Sequence, residues 1–333
     1  MRCCVLHLRA IPDGGCLPGP MVSNAGAPRR ASDGVLLLDK PLGISSSQAL
    51  QRVRRLLGGI KGGHTGALDP LASGMLPLCL GEATKIAGIL LSSRKSYRAE
   101  LRLGQTTSTD DAEGGLLKER PVPSLTVAEI DAALMHFTGR IPQRAPVYSA
   151  LKQGGQPLYR RVRRGETVEA PVREVEVFSL RLLAHGPEHL SLEIECGSGF
   201  YVRALARDLG ERLGCGAHLS ALRRQWVEPF QGLPMLELES LAAMAPAAIE
   251  ATLSEWLMPI ERALAHWPQW QLDDADSRAI AQGRSPSAPT AAAASVPSLL
   301  RDPHGRPLAL ALAEAGRWRI LRGFRIGAPD GAC

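Results

Sequence analysis

The sequence predicts an α+β fold, in which a mixed body of strands and helices precedes a small C-terminal β domain. Apolar and charged side chains alternate in SYRAELRLGQ, from Tyr97 to Leu103, which is typical of a half-buried strand. Apolar side chains recur at helical spacing in FYVRALARDLGERLG, which indicates a helix. The composition changes near residues 246–251, and the short alternating segments that follow favour a separate β domain.

The first ordered element is expected at GVLLLD, residues 34–39, whose apolar run predicts a buried strand. Residues 1–33 are rich in Gly, Pro, Ala and Arg without periodicity, so we expect a disordered tail. Ser45 or Ser46 can cap the helix that follows, and Gly58 can end it.

The remaining elements of the body follow from caps and alternation. Thr126 and Glu129 form a capping-box pattern that predicts a helix start. The apolar side of this helix is expected at Val127, Ile130, Leu134 and Phe137. The segments VREVEVFSL and HLSLEIEC alternate and predict two strands. Residues 140–173 hold eight Lys or Arg and are expected to form a basic, loop-like segment.

The C-terminal β domain is predicted from fewer sequence features than the body. The Ala, Pro and Ser residues from Ser285 to Pro297 predict a long loop. After it, Leu308, Leu310 and Leu312 alternate with other residues, as in a strand with one buried face.

Length and charge limit the class of protein. A chain of 333 residues favours more than one domain, because a single hydrophobic core seldom grows beyond ~250–300 residues. A formal net charge of +6 favours a polyanionic partner such as nucleic acid, although a genome biased toward Arg would give the same excess. The charge alone leaves both explanations open.

The cysteines and the apolar segments indicate the compartment. The seven cysteines include no C-x-x-C spacing, which indicates reduced thiols and not a disulfide framework or a zinc site. No stretch is long and apolar enough to span a bilayer. We therefore expect a cytoplasmic protein with no membrane association.

Several common catalytic motifs are missing from the sequence. There is no G-x-x-x-x-G-K-[ST] or G-x-G-x-x-G loop for a nucleotide, and no G-x-S-x-G nucleophile elbow. The eight histidines are scattered along the sequence, which disfavours a zinc site. We therefore expect chemistry with no cofactor and no metal.

Asp69 is the only acid in the glycine-rich stretch GGHTGALDPLASG, where a ligand can approach the backbone closely. An Asp before a proline is usually a turn residue. A catalytic Asp69 would need a cationic partner if it were buried, and Arg203, at the start of the predicted helix 200–213, is the expected one. The ion pair would keep the carboxylate ionised at neutral pH, as a nucleophile requires. The residues alone favour neither interpretation.

Five segments resemble the motifs of the TruB-type tRNA pseudouridine synthases, in that family's order and at comparable spacings. They are LLLDKPLGISS, GHTGALDPLASGMLPLCLGEATK, KSYRAELRLGQTTSTDDAEG, APVYSALKQGGQPLYRRVRRGE and CGSGFYVRALARDLGERLGCGAHLSALRR. The resemblance spans about residues 34–226. It departs from the family at Ser108, Ala145 and Phe200, where Asp, Pro and Thr are more usual.

The resemblance implies a pseudouridine-synthase fold, which is a mixed, mainly antiparallel sheet flanked by helices, with a PUA-like β domain at the C-terminus. The implied catalytic domain is 34–257, with an insertion at about 140–173, and the implied PUA-like RNA-binding domain is 258–333. The implied activity isomerises the T-loop uridine of tRNA, at position 55, to pseudouridine. The N1–C1′ bond breaks and a C5–C1′ bond forms, without a cofactor, while the base is flipped out.

The resemblance also implies three catalytic residues. Asp69 matches the family's nucleophile, Tyr97 the aromatic residue that stacks on the flipped base, and Arg203 the arginine that pairs with the nucleophile. Without the resemblance, Tyr97 is more simply a core tyrosine on a strand and Arg203 a surface residue of a helix.

Further residues match positions that bind substrate in the family. They are His64, which would fill the gap left by the flipped base, Leu222, which would line the base pocket, and Asp111, Lys40 and Tyr201, which match family motifs. A loop histidine, a core leucine and structural roles for Lys40 and Tyr201 are the simpler alternatives.

The implied partner is tRNA. The insertion at 140–173, including Arg160 and Arg163, would grip the T-loop and neutralise phosphates, and the C-terminal domain would contact the acceptor stem. We expect a monomer. A guide-dependent subunit of an H/ACA-type particle and a non-catalytic RNA-binding or RNA-folding protein are the alternatives. The insertion argues against the first, because guided relatives lack much of it, and the intact Asp69, Tyr97 and Arg203 argue against the second.

Overall fold

The computed structural model of the chain describes residues 33–149, 151–294 and 296–325. The predicted tail at 1–33 therefore lies outside the described residues, except for Asp33. The Asp33 carboxylate accepts a hydrogen bond from the backbone N–H of Glu82 at 2.8 Å.

The strands of the described residues are β1 (Gly34–Lys40), β2 (Gly62–His64), β3 (Ala72–Leu80), β4 (Lys95–Leu103), β5 (Gln105–Thr107), β6 (Leu116–Glu119), β7 (Gly139–Arg144), β8 (Lys152–Gln153), β9 (Gln156–Pro157), β10 (Val172–Gly186), β11 (His189–Cys196), β12 (Ala217–Val227), β13 (Leu236–Glu237), β14 (Gln269–Gln271), β15 (Ser298–Arg301), β16 (Pro307–Glu314) and β17 (Arg317–Gly323).

The α-helices of the same residues are α1 (Ser46–Leu56), α2 (Ala87–Leu91), α3 (Val127–Met135), α4 (Leu158–Arg163), α5 (Val202–Arg212), α6 (Leu238–Ala242), α7 (Pro246–Trp256), α8 (Ile260–Ala263) and α9 (Asp274–Ala281). A 3₁₀ helix over Gly81–Ile86 follows β3 directly. In the described part of the chain, no helix has the length and apolar character needed to cross a membrane.

One large sheet forms the body, with the strand order β13–β1–β3–β12–β4–β11–β10–β7 and with β2 paired to β3. The β1–β13 and β3–β12 pairs are parallel and the other pairs are antiparallel. The predicted mixed, mainly antiparallel sheet is therefore confirmed.

The alternation in β4 sorts its side chains between the two faces of the sheet. Tyr97, Ala99, Leu101 and Leu103 are buried in the largest core cluster. Helix α5 supplies Val202, Leu205 and Leu209 to that cluster, as its periodicity predicts. Helix α3 contributes Ile130 and Leu134, but Val127, predicted on the apolar side, is 49% exposed. Val127 is the first residue of α3, and the buried part of the apolar face begins one turn later, at Ile130.

Both predicted helix caps are present. Ser45, the first of the two candidates, caps α1: its hydroxyl accepts from the backbone N–H of Gln48, and the Gln48 side chain accepts from the Ser45 N–H. Thr126 and Glu129 form the same reciprocal pair at α3. Such a box satisfies two backbone donors that a helix start leaves unpaired.

The segment 140–173 has more secondary structure than the loop-like segment predicted. It contains most of β7, the short hairpin of β8 and β9, helix α4 and the start of β10. Buried side chains of Ala145, Leu158 and Ala170 form a small core of its own. The sequence did not predict these elements because the segment is highly charged. A short amphipathic unit with few apolar residues gives only a weak periodic pattern.

The C-terminal domain is a four-stranded sheet in the order β14–β15–β16–β17. Strand β16 buries a row of Ala309, Ala311 and Ala313, which was not the predicted row. Of the predicted Leu308, Leu310 and Leu312, only Leu310 is fully buried, and it packs in a different cluster, with Val35 of β1. The bulky Trp318 of β17 is fully buried and packs in one cluster with Ala311 and Ala313. Leu272 and Leu300 belong to the same cluster, so the core of the domain packs one large aromatic residue against alanines and leucines.

Candidate active site

Asp69 and Arg203 lie in contact, as expected for a catalytic pair. Arg203 Nε is 2.9 Å from Asp69 Oδ2. The Arg203 side chain is 7% exposed, whereas the Asp69 side chain is 45% exposed. The cation is therefore enclosed by protein, and the carboxylate keeps one side open to a ligand.

Arg203 is held on all sides. Nη1 donates to the backbone carbonyl of Thr109 at 3.0 Å, and Nη2 donates to that of Tyr148 at 3.0 Å. Nη1 is also 3.5 Å from Asp111 Oδ2, so a second carboxylate faces the guanidinium. A guanidinium has five N–H donors in a fixed plane, and these acceptors fix its orientation.

The Asp69 backbone is held by the segment that leads into α1. The Ser46 hydroxyl donates to the carbonyl of Leu68 at 3.1 Å and accepts from its N–H at 2.7 Å. The Gly43 N–H donates to the carbonyl of Pro70 at 2.9 Å. The carbonyl of Asp69 accepts from Ala72, three residues on, at 3.0 Å, so Asp69 opens a turn as well as pairing with Arg203. The turn and the ion pair are thus both present.

Lys40 shapes the turn that reaches Pro70. Its side chain is fully buried, and Nζ donates to the carbonyls of Pro41 at 2.7 Å and Ile44 at 2.6 Å. Burial lowers the pKa of Lys40 from 10.5 to about 8, against the opposing effect of the nearby Asp69 carboxylate. Two hydrogen bonds therefore tie the Lys40 ammonium to the turn between β1 and α1.

Burial raises the pKa of Asp69 above its ordinary value. The positive charge of Arg203 opposes this rise, and the negative charge of Asp111 adds to it. Asp111 is itself buried and accepts a hydrogen bond from the N–H of Glu113 at 3.0 Å. Although Asp69 is the only acid in its own loop, the fold brings a second carboxylate, that of Asp111, to the same arginine, Arg203.

Tyr97 lies on β4 with 8% exposure, between Ile194 of β11 and Arg224 of β12. Burial raises the pKa of its hydroxyl, with Arg224 acting in the opposite direction. The phenol is therefore neutral at physiological pH. The structure places it in the core cluster together with Leu68, the neighbour of Asp69.

Arg224 belongs to the site but was not among the residues selected from the sequence. It is 1% exposed, and it donates from Nε to the carbonyl of Met75 at 2.6 Å and from Nη2 to that of Gly66 at 3.1 Å. Its backbone lies so close to Gly74 that a Cβ there would be 2.2 Å from the Arg224 carbonyl oxygen, and Gly74 has φ +99°. The sequence offers one indication of this role. Arg224 stands two residues after Leu222, so on a strand the two side chains lie on the same face.

The remaining substrate-binding candidates lie on three different elements. His64 ends β2 and is not in a loop; burial lowers its pKa, so the ring is neutral. Leu222 is half-buried on β12 beside Ala72 and Ala99. Tyr201 is the residue that precedes α5, and it packs against the small core of the insertion.

Arg160 and Arg163 are exposed on α4 of the insertion. The neighbouring Arg161 and Arg164 both pair with Glu166, at 2.6 and 2.8 Å. Within the described residues, no group of three or more His, Cys, Asp or Glu side chains is arranged to hold a metal ion.

Two family models match consecutive parts of the chain. The N-terminal domain of TruB family pseudouridylate synthases matches residues 54–202, and the C-terminal domain of tRNA pseudouridylate synthase B matches residues 203–265. The boundary between the two matches falls between Val202 and Arg203.

Curated relatives are similar over most of the chain. A tRNA pseudouridine synthase B of Xanthomonas axonopodis pv. citri is 54% identical over 86% of this chain and 92% of its own length. One of Xylella fastidiosa is 58% identical, over 73% of this chain and 80% of its own length. One of an Azoarcus species is 49% identical, over 77% and 84%.

Solved structures show a similar fold. A Cbf5–Nop10–Gar1 complex contains a chain that superimposes with a TM-score of 0.69, at 24% identity over 90% of this chain and 86% of that one. An H/ACA RNP bound to a substrate RNA gives 0.67 at 22% identity, over 88% and 85%. At such identities the likeness concerns the fold. Together with the relatives, which are about half identical, it leads to one conclusion: this chain belongs to the TruB family of pseudouridylate synthases, which are isomerases.

Proposed function

We propose that this chain isomerises uridine 55 in the T-loop of tRNA to pseudouridine, with Asp69 as the nucleophile. The relatives at 49–58% identity bear the name tRNA pseudouridine synthase B, which supports tRNA as the substrate. The observation that carries the proposal is the contact between Arg203 Nε and Asp69 Oδ2 at 2.9 Å, with the carboxylate 45% exposed and the guanidinium 7% exposed.

The ion pair suits nucleophilic chemistry. Arg203 is fixed by the carbonyls of Thr109 and Tyr148, so it holds the Asp69 carboxylate in one orientation before substrate arrives. A carboxylate that meets an electron-poor anomeric carbon resembles the nucleophile of a retaining glycosidase. Attack on C1′, addition to C6 and removal of the C2′ proton are three routes that this carboxylate can serve.

Other side chains near Asp69 support binding of a flipped base. Tyr97 offers an aromatic ring for stacking, on the strand that pairs with β12. Leu222 supplies an apolar wall on the adjacent strand. His64 has a buried Nδ1 with no partner among the described residues, and its neutral ring can take the place of the displaced base in the RNA stack.

The remaining proposals concern RNA outside the flipped nucleotide. The insertion at 140–173 would grip the T-loop, and the C-terminal domain would contact the acceptor stem, with the chain divided at 257/258. Exposed arginines on α4, including Arg160 and Arg163, support the first of these assignments because arginine binds phosphate in a bidentate manner. We expect the enzyme to act as a monomer in the cytoplasm.

A guide-dependent role receives less support. The relatives at about half identity are all named for tRNA, whereas the H/ACA structures resemble this chain at 22–24% identity and inform on fold alone. The pure protein should therefore form pseudouridine in an unmodified tRNA transcript without a guide RNA. Activity that appears only after addition of a guide RNA would favour the H/ACA-type role.

The test of the nucleophile is Asp69→Asn. This nearly isosteric change should lower the single-turnover rate of pseudouridine formation on the order of 10³-fold or more. The free energy of tRNA binding should stay within roughly 1 kcal/mol of the wild-type value. The matched control is Asp208→Asn, which removes a surface carboxylate that pairs with Arg207 on α5 at 2.8 Å. Wild-type activity in Asp69→Asn would refute the nucleophile. If the protein without any substitution binds tRNA but forms no pseudouridine, a non-catalytic RNA-binding role is favoured.

A further inference from the structure

Gln143 is a buried amide on β7 with no role assigned by the site described above. It is 4% exposed. Its Nε2 donates to the carbonyl of Tyr201 at 3.1 Å, and its Oε1 accepts from the N–H of Tyr201 at 2.8 Å. One side chain therefore satisfies both polar groups of one backbone residue, as a neighbouring strand would do.

The residue held in this way controls where α5 begins. Tyr201 is the N-cap residue of α5, and its own side chain makes no capping hydrogen bond. Arg203 is only the second residue of the helix. Because a helix is stiff over its first turn, a shift of Tyr201 moves the Arg203 guanidinium relative to Asp69.

Gln143 also begins a stretch of the insertion that is attached to α5 at further points. Arg207 Nη2 donates to the carbonyl of Arg144 at 2.9 Å. Arg203 Nη2 donates to the carbonyl of Tyr148 at 3.0 Å. The stretch from Gln143 to Tyr148 is therefore fastened to the first two turns of the helix that carries Arg203.

We propose that Gln143 is a positioning residue for the reaction: its amide fixes the start of α5, so that Arg203 meets Asp69 and the carbonyl of Tyr148 at the same time. This inference rests on the proposed function. An amide is required because the site needs one donor and one acceptor; a methionine has neither in useful strength, and an ionised glutamate lacks the donor.

The first variant is Gln143→Met, which keeps the length of the side chain and removes both hydrogen bonds. We expect the single-turnover rate on a saturating T-arm hairpin to fall about 10- to 100-fold, because a displacement of about 1 Å at a reacting group costs up to ~100-fold. The dissociation constant for the hairpin should stay close to the wild-type value, since Gln143 is buried. The control is Gln269→Met, which removes a half-buried amide bonded to the carbonyls of Glu261 and Leu264 in the C-terminal part.

The second variant is Gln143→Glu, which gives a readout that a general loss of packing would not. In this variant the neutral acid can donate to the Tyr201 carbonyl and accept from its N–H, whereas the ionised form sets an oxygen against that carbonyl. Burial raises the pKa of such an acid, so the neutral form gains population as the pH falls. The rate of the variant divided by the wild-type rate should therefore increase as the pH is lowered, with thermal unfolding followed at each pH.

The outcomes separate this inference from the proposed function. A wild-type rate in Gln143→Met, or a loss explained by weaker binding or by the unfolded fraction, overturns the positioning role and leaves the function intact. If Gln143→Met does not fold, Gln143→Glu decides, and a rate ratio that does not vary with pH overturns the inference. A wild-type enzyme that forms no pseudouridine in the hairpin or in tRNA removes the proposed function, and this inference with it.

Discussion

The Asp69 site and the insertion satisfy their arginines in opposite ways. At the site, Arg203 and Arg224 are buried and donate to backbone carbonyls of segments far away in sequence, such as Thr109 and Met75. In the insertion, Arg161 and Arg164 are paired with Glu166 and lie at least partly exposed.

This difference separates two mechanical roles. Long-range bonds to backbone make the position of a guanidinium depend on the whole fold, which suits a group that must be placed before the reaction. Local ion pairs between partly exposed side chains contribute little to stability and exchange easily for phosphate. The arginines of the candidate site are thus positioned by backbone segments far away in sequence. The arginines of the insertion, the proposed RNA-binding segment, are held by local ion pairs.

The largest expected effect tests the rigid half of this comparison. Arg203→Met should lower the single-turnover rate on the order of 10³-fold, because it leaves Asp69 and Asp111 without their shared cation and the carbonyls of Thr109 and Tyr148 without a donor. The measurement is pseudouridine formation in a T-arm hairpin, with thermal unfolding recorded in parallel. Arg212→Met, an exposed arginine in the last turn of the same helix, is the control. Equal losses in both variants would mean that α5, and not the ion pair, is what matters.

An effect of intermediate size is expected for the arginines of the insertion. Changing Arg160, Arg161, Arg163 and Arg164 together to Gln should weaken tRNA binding and flatten its salt dependence, since each lost phosphate contact reduces the slope of log K against log salt by about 0.7–0.9. The single-turnover rate at saturating tRNA should change much less than the affinity.

The control for this variant removes arginines from the large sheet of the body. Arg98, Arg102 and Arg181 lie on the exposed side of β4 and β10 and pair with Glu100, Glu188 and Glu193. Their joint replacement by Gln should leave the salt slope near that of the wild type. An unchanged slope in the insertion variant would place the RNA grip elsewhere.

The smallest expected effect sharpens the account of the ion pair. The negative charge of Asp111 helps to raise the pKa of Asp69, so Asp111→Asn should lower that pKa. Because the proposed nucleophile acts as the ionised carboxylate, the acid side of the pH–rate profile should move to lower pH, by about one unit or less. This prediction concerns the position of the acid limb and not the maximal rate. A shift to higher pH would show that Asp111 acts on Asp69 in some way other than through its charge, and Asp208→Asn should give no shift.

Local sequence predicted the elements that local physics controls. The capping boxes at Ser45 and Thr126 and the inward face of β4 follow from bonds and periods within a few residues. The prediction was wrong where long-range packing decides. Val127 is exposed although apolar, and the charged segment 140–173 folds into a hairpin and a helix around a small core.

The candidate site was predictable in its members and less so in its supports. Asp69, Tyr97 and Arg203 stand in motifs that the sequence displays. Gln143 acts on a residue 58 positions away and Arg224 on one 149 positions away, and both act through backbone atoms. A backbone carbonyl leaves no mark in the sequence at its own position, so no motif predicts such a contact.

The sequence by itself determined the family, the candidate acid and the order of the main elements of the body, because these depend on residue types and on spacing along the chain. Only the tertiary structure decided that Asp69 keeps one side open while Arg203 is enclosed, that Asp111 faces the same guanidinium, and that the insertion is fastened to α5. Exposure, shared charge and attachment depend on distances through space between segments that folding brings together, and the spacing along the chain does not contain them.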